Sequence, residues 1–233
     1  MLIWMVVTSV IKNKLQHLLK VVRGGPFIKK WKKNPNVEFQ KLLDQKYGEF
    51  KVIDKFMRFQ KNSVVLDYGI GLGLIAKHIC KNVKKVYGWD ANNNMLDFCR
   101  ENYKEISNLI LLNRGVSVSV KNLSVTHIVA NNVIGEYYSL DKLTKLLKKF
   151  HNILCEKGFL WFDFYNKEFK IESSKRCHQA EWLLTIQEQE KFFYNMYYYN
   201  IKELREIINK NGFKILLLDH KRCHGKALIQ KVS

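Results

Sequence analysis

Two acidic residues and three glycines are spaced in a way that suits a ligand containing a ribose. Gly69, Gly71 and Gly73 follow an apolar run that ends at Asp67, and a helical pattern comes after them. Glycines between a strand and a helix let a ligand approach the backbone closely. Asp90 ends the next apolar run, where a carboxylate can accept hydrogen bonds from both ribose hydroxyls. The alternatives are a tight turn without a ligand and a helix cap at Asp90.

The glycine spacing alone does not choose the cofactor, because residues 71–76 also satisfy the G-x-G-x-x-A variant of dinucleotide sites. A dinucleotide would place its pyrophosphate at this turn, where Asp67 would repel it. S-adenosylmethionine carries an ammonium and a sulfonium and no phosphate. Asp67 therefore favours S-adenosylmethionine and opposes the alternative, an NAD-linked reductase.

Short apolar segments typical of buried parallel strands recur on both sides of this site. They cover residues 63–67, 85–90, 109–112, 125–130 and 158–163. Helical patterns cover residues 38–59, 74–82, 94–103 and 140–155. Strands that alternate with helices predict an α/β fold with a doubly wound sheet.

The C-terminal region departs from this alternation. A capping box at Asn200–Glu203 begins a helix that ends near Gly212, and two apolar runs follow at 213–219 and 226–232. Only about six residues join these two runs, and so short a link favours a hairpin. The sequence therefore predicts a mostly parallel seven-stranded sheet with an antiparallel C-terminal edge hairpin.

Composition indicates a folded chain without a metal site. The 233 residues are 47% hydrophobic and 13% aromatic, which excludes a mostly disordered protein. The five cysteines form no C-x-x-C pair, so neither a disulfide framework nor a zinc site is expected. The run Met1–Val7 is too short to span a membrane and lacks the features of an export signal. We therefore expect a cytoplasmic protein with free thiols.

Positive charge is concentrated near the N-terminus. Residues 1–62 carry 14 Lys and Arg against 4 Asp and Glu, and residues 11–33 contain no acidic residue. We predict a basic N-terminal extension over residues 1–36 and one domain over residues 37–233. The extension suits peripheral contact with an anionic membrane, with nucleic acid as a second partner class and a solvated segment as the plain alternative.

The glycine-rich stretch also carries a family resemblance. Residues 67–73 match the D-x-G-x-G-x-G signature, and from about Glu38 onward the sequence resembles class I S-adenosylmethionine-dependent methyltransferases. Residues 90–96 are similar to the D-x-S-x-x-M-L pattern of that family, with Asn92 in place of Ser. The resemblance implies a Rossmann-like fold and S-adenosylmethionine as cofactor. The cofactor-binding residues that it implies are Asp67, Gly69, Gly71, Gly73, Asp90, Ala91 and Met95.

Departures from the family pattern support an alternative, a non-catalytic module that binds the cofactor. Gly115-Val116 stands where many relatives have Gly-Asp beside the adenine, so Ser117 or backbone would have to bind it. His127 replaces an Asp at the start of the fourth strand, and Glu136 stands where many relatives have His. We expect His127 to be structural.

Methyl transfer is an in-line displacement, so it needs a base only when the nucleophile is protonated. The catalytic candidates are Glu136 and Tyr137 after the fourth strand and Asp163 at the end of the fifth, because ligands of open α/β sheets lie at these ends. The aromatic run at residues 192–199 is assigned to shaping of the substrate site.

The positions of the prolines narrow the acceptor class. Pro26 and Pro35 are the only prolines, and both precede the first strand. The [DN]-P-P-[YF] motif of many amino-directed nucleic-acid methyltransferases and the Pro-Cys nucleophile of cytosine-5 enzymes are therefore excluded. The sequence favours a small-molecule or membrane-associated acceptor, with an RNA-directed enzyme as the alternative.

Overall fold

Eight strands form one sheet in the computed structural model, which describes residues 50–112, 124–169, 197–221 and 224–232. The strands are β1 (Val64–Tyr68), β2 (Lys85–Trp89), β3 (Leu109–Leu111), β4 (Val125–Ala130), β5 (Leu154–Asn166), β6 (Tyr198–Tyr199), β7 (Phe213–Asp219) and β8 (His224–Lys231). Most are apolar and buried, because both faces of the sheet are covered.

The strand order is β3-β2-β1-β4-β5-β8-β7, and the two-residue β6 pairs with β5. β8 runs antiparallel to both β5 and β7, while the other pairs are parallel. The predicted doubly wound sheet and its C-terminal hairpin are therefore confirmed. From β1 the chain builds β2 and β3 on one side and then crosses to β4 on the other side of β1. The switch point at which such sheets bind ligands therefore lies at the end of β1.

Helices cover both faces of the sheet. They are α1 (described over 50–57), α2 (Leu74–Ile79), α3 (Asn93–Asn102), α4 (Ile134–Tyr137), α5 (Leu140–Ile153) and α6 (Ile201–Lys210), with a 3-10 turn at Lys167–Phe169. Val65, Val129 and Trp161 belong to the core packed against α1, α2 and α3. Leu66, Ile128 and Leu160, which alternate with them, belong to the core packed against α4, α5 and α6.

The boundary between α5 and β5 differs from the prediction. The helix ends at Ile153 rather than at residue 155, and the strand begins at Leu154 rather than at residue 158. Leu154 takes an extended conformation and pairs with Val125, whereas the next pair is His127 with Phe159. Extra residues of β5 therefore form a bulge, in which Lys157 has a φ of 59°.

Several predictions concern residues outside the described ranges. These are the basic extension over 1–36, the first part of the helix predicted from residue 38, the segment 115–117 and the aromatic residues 192–196. The division of the chain into an extension and a domain stays a prediction. Within the described ranges, no helix has both the length and the apolar character needed to cross a membrane.

His127 ties β4 to α1 at the amino end of the sheet. It is 5% exposed, and its ring packs against Phe59 and Phe159. Nε2 lies 3.0 Å from the carbonyl oxygen of Met57, which can only accept, so Nε2 carries the proton. Nδ1 lies 2.7 Å from the hydroxyl of Thr126. The ring therefore has a structural position, far from the carboxyl ends of the strands.

We expect the free energy of unfolding to fall as the pH drops from about 6.5 to about 4. Burial lowers the pKa of His127 from 6.5 to about 4, so the unfolded chain binds a proton at this residue first. The full loss amounts to about 3 kcal/mol. Urea titrations at several pH values should show a smaller loss in His127→Gln than in the wild type. An identical pH dependence of the two proteins would contradict the prediction.

Candidate active site

The turn after β1 folds back over the end of β2. Gly69, Gly71 and Gly73 have φ values of 79°, 51° and 71°, a region that only glycine enters at little cost. The N–H groups of Gly69 and Ile70 donate to the carbonyl oxygen of Trp89 at 2.7 and 2.9 Å. The N–H of Gly73 donates to the carbonyl oxygen of Ile70 at 2.8 Å. The glycines thus shape a tight loop directly above the carboxyl end of the sheet.

The three glycines face different surroundings. A Cβ on Gly69 would lie 2.4 Å from Cγ2 of Val133, and one on Gly73 would lie 2.6 Å from Cε2 of Tyr103. For Gly71 the nearest atom is the carbonyl oxygen of Gly69, at 4.0 Å. The missing side chains of Gly69 and Gly73 therefore allow other residues to pack closely. The missing side chain of Gly71 instead leaves open space beside the backbone, the Gly71 cradle, that a ligand can fill.

Asp90 holds this cradle from the end of β2. Its Oδ2 accepts from the N–H of Gly71 at 2.9 Å, and its Oδ1 accepts from the N–H of Asn92 at 2.8 Å. The residue is only partly buried. A carboxylate oxygen has two lone-pair sites, so each oxygen can also accept from a ribose hydroxyl. The position and chemistry of Asp90 therefore fit the ribose of S-adenosylmethionine.

Cys99 of α3 and Tyr103, which follows that helix, bond to the glycine loop, and the buried Asp67 precedes it. Asp67 is 2% exposed. Burial raises the pKa of the Cys80 and Cys99 thiols to about 12, and the negative charge of Asp67 contributes to both shifts. Such a field suits a cationic ligand. Cys99 donates from Sγ to the carbonyl oxygen of Gly71 at 3.4 Å, and the Tyr103 hydroxyl donates to that of Leu72 at 2.8 Å.

Ala91 and Met95 follow Asp90 in the chain. Ala91 is exposed in the turn after β2. Met95 is partly buried in the first turn of α3, where it packs against the core on that side of the sheet. Their contact with adenine stays a prediction, as does the cofactor contact of each glycine.

Asp163 lies in a buried polar network rather than in an open cleft. It is 2% exposed, and its two carboxylate oxygens lie 2.8 and 2.9 Å from the N–H of Asn132, which donates to them. Its Oδ2 also lies 2.9 Å from Nε2 of His224. The network joins the end of β5 to the segment after β4 and to the start of β8. His224 was not among the predicted site residues.

The other candidates after β4 are placed differently. Tyr137 is 64% exposed on α4, and Glu136 lies on the same helix, but its side chain is outside the described part of the chain. Tyr138, which follows α4, bonds through its hydroxyl to that of Tyr68. Burial raises the pKa of both phenols, so neither is suited to act as a base near neutral pH. Tyr199 is 2% exposed and forms part of the hydrophobic core.

Comparison with known proteins identifies the family and the fold of the chain. A family model described as a methyltransferase domain matches residues 40–218. An S-adenosylmethionine-dependent methyltransferase from Clostridium acetobutylicum ATCC 824 shares the fold with a TM-score of 0.61 at 13% identity, over 86% of this chain and 100% of that chain. Magnesium protoporphyrin IX methyltransferase from Synechocystis PCC 6803, solved with bound S-adenosylhomocysteine, gives 0.58 at 14% identity, over 96% and 99%.

A third solved structure is the complex between the Haloferax volcanii Trm112 methyltransferase activator and a methyltransferase. A chain of that complex gives a TM-score of 0.65 at 15% identity, over 88% of this chain and 97% of that chain. No curated protein sequence matches the chain. The family model covers well over half of the chain, and the glycine cradle, Asp67 and Asp90 fit the cofactor. The chain therefore belongs to the methyltransferase-domain family and is an S-adenosylmethionine-dependent methyltransferase with the class I fold.

Proposed function

We propose that the protein transfers a methyl group to a small-molecule or membrane-associated acceptor. The observation that supports this class most is the backbone of Asn132. Its N–H donates to both carboxylate oxygens of Asp163, and its φ is 56°. A [DN]-P-P-[YF] motif starting at Asn131 would put proline at position 132. Proline has no N–H and is fixed near a φ of about −65°, so this backbone does not suit that nucleic-acid motif, which supports the proposed acceptor class.

In this proposal the chain contributes mainly by positioning. Asp90 accepts hydrogen bonds from the ribose, the Gly71 cradle admits the ligand to the backbone, and Asp67 supplies a negative field. Bound S-adenosylmethionine supplies an electrophilic methyl group on a sulfonium. Because the reaction is an in-line displacement, holding the acceptor in line and excluding water can supply much of the rate.

Transfer of a deuterated methyl group would test the acceptor class. The full chain is incubated with S-adenosylmethionine labelled in its methyl group and with cell extracts from several organisms, which are then separated into metabolite, lipid, protein and RNA fractions. We expect the label in the metabolite or lipid fraction, detected by mass spectrometry.

The Gly71→Val variant is the matched control, because it removes the cradle and should transfer no label. Label confined to RNA would contradict the proposal and support the RNA-directed alternative. Tight binding of S-adenosylhomocysteine without label in any fraction would support the non-catalytic module.

A further inference from the structure

A buried aspartate and a histidine form a pair at the carboxyl edge of the sheet. His224 Nε2 lies 2.9 Å from Oδ2 of Asp163, and the two side chains are 15% and 3% exposed. Because β8 runs antiparallel to β5, its first residue, His224, lies opposite Tyr165 near the carboxyl end of β5. A residue that begins a strand thus reaches the edge at which open α/β sheets bind their ligands.

Direct contacts connect this pair to the glycine loop. Asn132 binds Asp163 through its N–H, and the next residue, Val133, packs on Gly69, where its Cγ2 fills the space of a Cβ. Asp163 also shares a sheet face with Asp67. The residues two positions before them, Trp161 and Val65, belong to the same core on that face. The pair and Asp67 therefore lie on one face and one edge of the sheet.

The contacts of Asp163 define which nitrogen of His224 is basic. An ionised carboxylate only accepts hydrogen bonds, and Asp163 already accepts from Asn132 through both oxygens. In the neutral ring, Nε2 of His224 therefore donates its hydrogen to Asp163, and Nδ1 carries the lone pair. An aspartate that fixes the ring and one tautomer of a histidine in this way prepares it to accept a proton.

Among the described residues, the titratable groups around the ring come from four strands and one turn. Tyr165 packs against the His224 ring at 5.3 Å, and Tyr198 of β6 packs against Tyr165 at 5.7 Å. Lys226 lies opposite both Asp163 and Asp219 in the strand register. His220 follows β7, and its carbonyl oxygen accepts from the Asn166 side chain. Among these groups, Asp163 bonds directly to the ring, so its carboxylate sets the orientation of the imidazole.

We propose that His224 is the catalytic residue that removes the proton from an O–H or N–H acceptor, and that Asp163 is its positioning residue. The proposal rests on the proposed function. The acceptor proton moves to Nδ1 of His224 while the acceptor lone pair forms a bond to the methyl carbon. The carbon–sulfur bond breaks, its electron pair stays on the sulfur, and the proton later leaves His224 to water.

The test measures the apparent pKa of His224 from its ring NMR signals in the full chain, assigned by their loss in His224→Gln. The probes are S-adenosylhomocysteine and sinefungin, which carries an amino group at the position of the transferred methyl. If His224 faces that position, the positive charge of sinefungin should make its pKa lower than in the S-adenosylhomocysteine complex, by about one pH unit. Asp163→Asn should lower the pKa in both complexes.

His78 is a matched control in the same spectra. It forms a similar pair with Asp54, with Nε2 to Oδ2 at 2.6 Å, but lies in the last turn of α2, away from the carboxyl edge. Its ring signals should be the same in both complexes. Equal pKa values of His224 in the two complexes, with both ligands bound in calorimetry, would overturn the role of His224 alone. Failure of both ligands to bind would overturn the proposed function first.

Discussion

Gly71→Val should bind S-adenosylhomocysteine at least about 100-fold more weakly than the wild type while the protein stays folded, a loss of about 3 kcal/mol of binding energy. The Cβ of this residue would meet no protein atom closer than 4.0 Å, so the added side chain fills the cradle that the ligand needs. The φ of 51° adds strain of about 1–3 kcal/mol for a residue with a side chain, which a folded domain can absorb. Calorimetric titration gives the affinity, and thermal unfolding gives the stability.

Gly73→Val is the comparison that separates binding from folding. A Cβ at this position would lie 2.6 Å from Tyr103 and 2.9 Å from Sγ of Cys99, so the loop and α3 would have to separate. We expect this variant to lose stability severely, whereas Gly71→Val keeps a melting temperature within several degrees of the wild type. Wild-type affinity in Gly71→Val would show that the ligand does not use the cradle.

Asp90→Ala should also lower the affinity for S-adenosylhomocysteine by about 100-fold, because hydrogen bonds to a charged group contribute about 1.5–3 kcal/mol. The carboxylate fixes the N–H groups of Gly71 and Asn92. Its predicted second task is to accept hydrogen bonds from the ribose hydroxyls. Asp90→Asn retains one acceptor oxygen, so its loss should be smaller. Isothermal titration of the three proteins checks this order.

A ligand that lacks one ribose hydroxyl isolates the second task. The 2′-deoxy analogue of S-adenosylhomocysteine should lose affinity for the wild type, and Asp90→Ala should weaken it less than it weakens the parent ligand. If Asp90 only supports the loop, the substitution will weaken both ligands equally. That result would leave the glycine cradle as the site but assign the ribose to other groups.

The sequence was informative where the signal is local. Short apolar runs and helical patterns predict the strands and helices, and the spacing from Asp67 to Asp90 predicts the site at the ends of β1 and β2. The sequence does not predict the hydrogen bonds that support the glycine loop or the one between His224 and Asp163, because the partners are distant in the chain. Cys99 lies 28 positions from Gly71, and His224 lies 61 positions from Asp163. No local pattern encodes such contacts, since the strand order brings them together.

The same strand order explains why the sequence predicts a catalytic role for Asp163 but does not predict its partners. Its place at the end of β5 is visible in the sequence, but its partner Asn132 and the neighbouring β8 are not. The early end of α5 was missed for a related reason. Leu154 leaves the helix to pair with Val125, a tertiary contact that outweighs the local helical preference of residues 154 and 155.

The position of β8 between β5 and β7 also affects how the chain folds during synthesis. β8 is synthesised after β7 but lies between β5 and β7, so residues 224–231 must leave the ribosome before either neighbour gains this partner. At about 5–20 residues per second, β5 waits several seconds with an open edge next to the buried rings of Phe162 and Phe164. Open edges of this kind associate with other chains. We therefore expect the newly made chain to be most prone to association during the interval between release of β5 and release of β8.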